Sequence, residues 1–164
     1  MRSRTAQWFE CKVKYEKVME DGLQKQVVEQ YVVDALSFAE AEQRITEEMS
    51  AFISGAFEVV DVKKAAYKEV FFDDGDPQAD RFYKAKLDFI TFDEKTEKEK
   101  RSRVTYLVQA TNLNRAMKNV DTVMGGTMID YDAASISDTK LVDVFEYNKL
   151  EASKEISKVK SEEI

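Results

Sequence analysis

The chain reads as one segment written twice, and this constrains its fold more than any motif does. Trp8-Phe9-Glu10-Cys11-Lys12-Val13-Lys14-Tyr15 matches Phe82-Tyr83-Lys84-Ala85-Lys86-Leu87-Asp88-Phe89 at an offset of 74. Tyr31, Val33, Ala35, Ala41 and Met49 fall on Tyr106, Val108, Ala110, Ala116 and Met124 at an offset of 75, and Val70-Phe71 returns as Val144-Phe145 at 74. A self-match that persists through three segments with single-residue slips implies duplication of a unit of roughly seventy residues. The division expected is a first copy at 7–73, a second at 80–147 and a charged tail at 148–164.

Each copy has the same predicted order. Residues 8–18 alternate, with Phe9, Cys11, Val13 and Tyr15 on one face and Glu10, Lys12, Lys14 and Glu16 on the other, which is the period of a half-buried strand. Asp21-Gly22 is a turn signal leading to a second arm over 27–35. Ser37 followed by Glu40 has the capping-box spacing, and Phe38, Ala41, Ile45, Met49 and Phe52 make the apolar stripe of a helix. Two further strands, at 57–64 and 66–72, are expected to form a hairpin. The polar junction Asp73-Asp74-Gly75-Asp76-Pro77 holds the only proline. Strands over 82–92 and 104–110, a helix capped by Asn112 and stopped at Gly125-Gly126, and strands over 131–137 and 141–147 repeat the pattern. The expectation is an α+β fold: a tandem strand-strand-helix-strand-strand unit, mostly antiparallel, with pseudo-twofold symmetry.

Composition narrows the chemistry. The chain has no histidine, which excludes within it a Ser-His-Asp triad, a Cys-His pair and a His-liganded zinc site. No catalytic constellation is recognisable, no metal or other cofactor is implied, and the expectation is a protein that is not an enzyme. The net charge of −7 argues against a general binder of phosphate backbones. Ten Phe, seven Tyr and one Trp supply a real core. No run approaches the ~20 apolar residues that span a bilayer, no signal-type apolar run follows the basic first residues, and the single Cys11 suits a reducing compartment. A cytoplasmic location without membrane contact is expected.

Three surfaces are candidates for binding. Lys12, Lys14, Lys84 and Lys86 share the polar face of the first strand of each copy with Trp8 and Phe82. Aromatics among cations on a sheet are how single-stranded nucleic acids are stacked and neutralised, although Glu10, Glu16 and Asp88 dilute that field. Tyr31 and Tyr106 are equivalent positions that could line a pocket between the copies, or else lie in the core with hydroxyls tied down. Residues 93–103 form a long hairpin tip in which nine of eleven residues are charged, with Lys98, Lys100, Arg101 and Arg103 as its basic end. A solvated hairpin guarding its edges would look the same. Asp73, Asp74, Asp76 and Asp80 are dense enough for a hard cation, but their spacing is not that of an EF-hand loop and a polar turn needs them anyway.

Two passages carry a family resemblance: Trp8-Phe9-Glu10-Cys11-Lys12-Val13-Lys14-Tyr15-Glu16-Lys17 and Val33-Asp34-Ala35-Leu36-Ser37-Phe38-Ala39-Glu40-Ala41-Glu42. The chain resembles, over about residues 7–147, the domain of unknown function 4494 of Bacteroides-type bacteria and their phages. The resemblance implies a bacterial or phage protein and brings no catalytic residues. The reading is a non-catalytic binding or adaptor protein with a protein partner or its own copies. The alternatives are an accessory single-stranded nucleic-acid binder of phage or mobile-element replication, and a small-molecule binder with a site between the copies.

Overall fold

The computed structural model describes residues 1–147; the expected tail at 148–164 lies outside them. The elements run β1 (Arg2–Arg4), β2 (Trp8–Val18), β3 (Gln24–Asp34), α1 (Phe38–Phe52), β4 (Phe57–Lys64), β5 (Glu69–Phe72), β6 (Arg81–Asp93), β7 (Lys98–Ala110), α2 (Leu113–Gly125), β8 (Asp130–Asp138) and β9 (Leu141–Phe145). The fold is α+β with two mostly antiparallel sheets.

Local chemistry accounts for most element bounds. β2 and β3 turn at Gly22, whose φ of 81° an L side chain rarely adopts, while Leu23 N–H bonds the Asp21 carboxylate at 3.0 Å. Both helices start on a side-chain cap. Ser37 Oγ accepts from Glu40 N–H at 3.1 Å, and Asn112 Oδ1 accepts from Arg115 N–H at 2.9 Å. The segment 98–103 is not part of a long loop. It belongs to β7, because its backbone pairs residue for residue with the end of β6 as far as Asp93↔Lys98, and only 94–97 turn. Charged side chains are tolerated there because they face solvent on a paired backbone.

The chain divides into two compact units that cut across the consecutive segments 7–73 and 80–147. One unit takes residues 1–6 and 66–140 and carries the sheet β1-β5-β7-β6-β8, with α2 on one face. Its core holds Phe71, Ala85, Leu87, Tyr106, Val108, Val120 and Met124. The other takes 7–65 and the chain from Leu141, and carries β4-β2-β3-β9 with α1 on one face. Its core holds Phe9, Cys11, Val13, Tyr31, Val33, Ala41, Ile45 and Met49.

The hairpins expected over 57–72 and 131–147 do not form. β4 and β5 belong to different sheets, and so do β8 and β9. β5 lies parallel to β7, with Val70↔Leu107 and Phe71↔Val108; β9 lies parallel to β3, with Val144↔Val32 and Phe145↔Val33. Parallel neighbours cannot be joined by a tight turn, so each of these short strands enters its sheet from a distant part of the chain. The two registers match at the sequence offsets of 74 and 75.

The same polar device follows each parallel strand. In the β3 unit, Tyr147 N–H donates to Asp34 Oδ1 at 2.8 Å, and Arg44 Nη1 donates to the Asp34 carbonyl and sits 3.6 Å from its carboxylate. Arg44 Nη2 reaches Glu40 at 2.6 Å, and the guanidinium lies 4.6 Å over the Tyr147 ring. In the β7 unit, Asp73 N–H donates to Gln109 Oε1 at 3.0 Å, and Asn119 Nδ2 donates to the Gln109 carbonyl at 3.0 Å and to Asp73 Oδ2 at 3.1 Å. Asp34, Arg44, Asp73 and Asn119 are the buried polar residues of the described chain. Buried polar groups are tolerated when hydrogen-bonded; here they tie the end of a parallel strand to the adjoining strand and helix.

Candidate functional site

The polar face of β2 and β6 divides into a buried start and a charged remainder. Trp8 is 1% exposed and Phe82 2%, so neither ring is presented for stacking a base. That corrects the aromatic half of the expected nucleic-acid surface. Alternation put both rings on the polar face, but alternation reports a face and not what covers it. Lys12, Lys14 and Lys86 have no ion-pair partner among the described residues, and Lys84 Nζ lies 5.7 Å from the Tyr67 ring centroid. Three carboxylates on these faces are paired across strands: Glu10 with Lys63 at 3.3 Å, Asp88 with Arg103 at 2.9 Å, and Asp132 with Arg101 at 2.9 Å. The Arg103 hydrogen bond holds the Asp88 carboxyl below the usual carboxylate range, and the bond to Asp132 raises Arg101.

Tyr31 and Tyr106 each lie in the core of their own unit, 7% and 6% exposed. Tyr31 stacks on Phe145 at 5.6 Å and Tyr106 meets Phe71 edge-on at 5.0 Å. Tyr31 Oη and Tyr15 Oη donate to the two oxygens of Glu29, each at 2.6 Å, with Lys17 at 3.8 Å. Burial first, then the Glu29 carboxylate, pushes Tyr15 up to about 12 and raises Tyr31 in the same way. These two hydroxyls are taken up by Glu29 within the fold.

The acidic junction is used structurally. Asp73 is 3.6 Å from Arg115, Asp74 pairs with Arg2 at 2.6 Å, and Asp76 accepts from Thr111 Oγ1 and from Gln78 N–H. Among the described residues no three His, Cys, Asp or Glu side chains gather as a metal site.

Cys11 is fully buried, and burial, reinforced by Asp61, Glu10 and Glu42, raises its thiol to about 12. Such a thiol stays protonated and unreactive at neutral pH. Native protein should therefore resist a thiol reagent such as dithionitrobenzoate and react with one equivalent only after denaturation; rapid native labelling would show that the strand opens.

What remains open is backbone. The arms of the β6–β7 hairpin are 13 residues each, and both run past their outer neighbours. β8 pairs with β6 only as far as Ile90, and β5 pairs with β7 only over Tyr106–Val108, joined by Lys68 N–H to the Thr105 carbonyl at 2.9 Å. Backbone groups alternate sides along a strand. The side on which Thr105 meets β5 is therefore also the side to which Arg103, Arg101 and Glu99 turn their N–H and C=O groups, and there no strand follows among the described residues. Lys98, Lys100, Arg101 and Arg103 thus mark an open strand edge rather than a loop tip. Sequence reading missed it because it placed these residues outside the strand.

No helix among the described residues is long and apolar enough to cross a membrane. No curated protein and no solved structure matches the chain. The profile of the domain of unknown function DUF4494 matches residues 7–147, and the chain belongs to that family.

Proposed function

We propose that this is a non-catalytic binding protein, of bacterial or phage origin, that takes up an extended segment of a protein partner along the open edge of β7. The observation that carries the reading is the projecting β6–β7 hairpin, whose outward N–H and C=O groups at Glu99, Arg101 and Arg103 are disposed to accept an added strand. Main-chain pairing would supply affinity, and the exposed Lys98 and Lys100 would favour a segment carrying carboxylates. Internal duplication is the accompanying proposal, supported by matched registers and by the two polar devices at Asp34 and Gln109.

Proline substitution separates backbone from side chain. Arg101→Pro removes an N–H that faces outward, so the β6–β7 ladder keeps its bonds; Arg101→Ala keeps that N–H. Native mass spectrometry of protein purified gently and without nuclease should show a protein partner on wild type and Arg101→Ala, and its loss from Arg101→Pro. Bare protein, or a partner unaffected by the proline, would refute the edge.

A second reading has one observation in its favour: unpaired Lys12, Lys14 and Lys86 lie at corresponding places on the two polar faces. With Trp8 and Phe82 buried, a nucleic acid would be held by phosphate contacts alone. Binding of a single-stranded oligonucleotide should then fall steeply with salt, as counterion release requires, and vanish when Lys12, Lys14, Lys84 and Lys86 are changed together to Gln. Absent or salt-independent binding removes this reading.

A further inference from the structure

The two long outer strands, β4 and β8, occupy corresponding places, each pairing with the first strand of its hairpin and leaving its other side open among the described residues. Each is interrupted by an irregularity at a corresponding point, between Lys12 and Val13 for β4 and between Lys86 and Leu87 for β8. Their side chains make them different edges. β8 carries Asp130, Asp132 and Asp138 on nine residues and no cation, a pattern that repels a second copy of itself. β4 reads Phe57-Glu58-Val59-Val60-Asp61-Val62-Lys63-Lys64, which is complementary to itself when reversed.

The backbone fixes which reversed register is available. Ala65 N–H donates to the Trp8 carbonyl at 2.8 Å, so Trp8 turns its backbone groups toward β4, and Glu10, Lys12 and Lys14 do so by alternation. Their partners Lys63, Asp61 and Glu58 face inward, leaving Phe57, Val59, Val62 and Lys64 to present N–H and C=O outward. An antiparallel second copy with Val59 opposite Val62 sets all four outward residues against outward residues, since Phe57 then meets Lys64. The same register places Glu58 opposite Lys63, twice by symmetry. Val59 and Val62 both lie on the side that α1 covers, where they join its core cluster as partly buried residues. Glu58 and Lys63 both lie on the opposite face. The irregularity falls at the symmetry axis, so that Val60 of each copy meets Asp61 of the other and the strand on either side remains paired. Backbone polarity, side-chain face, apolar contact and charge therefore select one register together.

We infer that β4 is a self-association edge, through which two copies of this chain join their four-stranded sheets into one eight-stranded sheet. This edge lies on the four-stranded sheet, whereas the β7 edge belongs to the five-stranded one. An eight-residue edge pair buries less than a permanent dimer does, so the association is a reversible one, with a dissociation constant on the order of micromolar.

Charge reversal in separate tubes is the test. Glu58→Lys alone sets lysine against lysine, and Lys63→Glu alone sets glutamate against glutamate. Both side chains are exposed; Lys63→Glu gives up the surface pair with Glu10 and Glu58→Lys gives up no ion pair among the described residues, so the variants should fold, and their melting curves check this. Sedimentation equilibrium of the full chain, from micromolar to sub-millimolar, should show a wild-type monomer–dimer equilibrium. Each variant should be weakened roughly tenfold, by the two symmetry-related pairs turned from attractive to repulsive. An equimolar mixture should recover wild-type affinity as a heterodimer, because each Lys of one variant then faces a Glu of the other. Lys64→Pro, which removes an outward N–H, should weaken the dimer independently of charge. A wild type that stays monomeric throughout, variants that dimerise like wild type, or a mixture that fails to recover each overturns the inference.

Discussion

Arg44→Leu is expected to cost about 3–5 kcal/mol, the range for removing one partner of a buried ion pair. Asp34 is 1% exposed and Arg44 7%, so the charge left behind cannot be hydrated where it stands. The arginine also holds the Asp34 carbonyl and lies over the Tyr147 ring, which makes it a link between the end of β3, the helix α1 and the segment after β9. The loss should therefore appear locally. Hydrogen exchange at the amides of β9 should speed up more than at β2, and the melting midpoint should fall by roughly 10 °C.

The corresponding change in the other unit, Asn119→Leu, removes a neutral donor, and Asp73 keeps Arg115 at 3.6 Å. Its expected cost is about 1–3 kcal/mol. Combining Arg44→Leu with Asp34→Asn should recover at least half of the larger loss, because the uncompensated charge is then gone. Denaturant titration measures all three. A cost below about 1 kcal/mol for Arg44→Leu would mean that the pair is neutral to folding and that apolar packing alone keeps β9 in place.

The parts of the fold that could be read from sequence are those decided by neighbours. The bounds of Trp8–Val18 follow from alternation, and the two helix starts follow from Ser37 and Asn112, because pleat and cap are local chemistry. Strand partnership is not local. Glu69–Phe72 and Leu141–Phe145 are short apolar runs that would serve equally as the second arm of a hairpin, and their parallel pairing with β7 and β3 depends on residues far along the chain. The polar device escaped for a related reason. Arg44 and Asn119 look like solvent-facing helix positions, although the offset of 75 that aligns Ala41 with Ala116 also aligns these two. A polar residue at both aligned positions, beside buried Ile45 and Val120, was the signal available. The candidate surfaces fared according to the same division: the lysines stand where alternation puts them, whereas the burial of Trp8 and Phe82 is a matter of tertiary packing.

Trp8 is where the structural and the binding readings of one residue make opposite predictions. As a stacking platform it would be dispensable to the fold, and Trp8→Ala would remove a ligand at little cost in stability. As a residue 1% exposed it should cost about 3–5 kcal/mol when truncated to alanine, the range for a buried large aromatic. Phe82→Ala, at the corresponding position of β6, should fall in the same range. The indole adds a sharper distinction, since Trp8 Nε1 is buried without a hydrogen-bond partner among the described residues. An orphaned donor has a desolvation cost that phenylalanine does not carry. Trp8→Phe should therefore cost less than about 1.5 kcal/mol, the smaller ring partly offset by removal of that donor. Fluorescence gives the check without mutation: the single tryptophan should emit at short wavelength and resist quenching by iodide until the protein is unfolded. Emission like that of free indole, together with an inexpensive Trp8→Ala, would return the ring to the surface and with it the stacking mode that its burial removes.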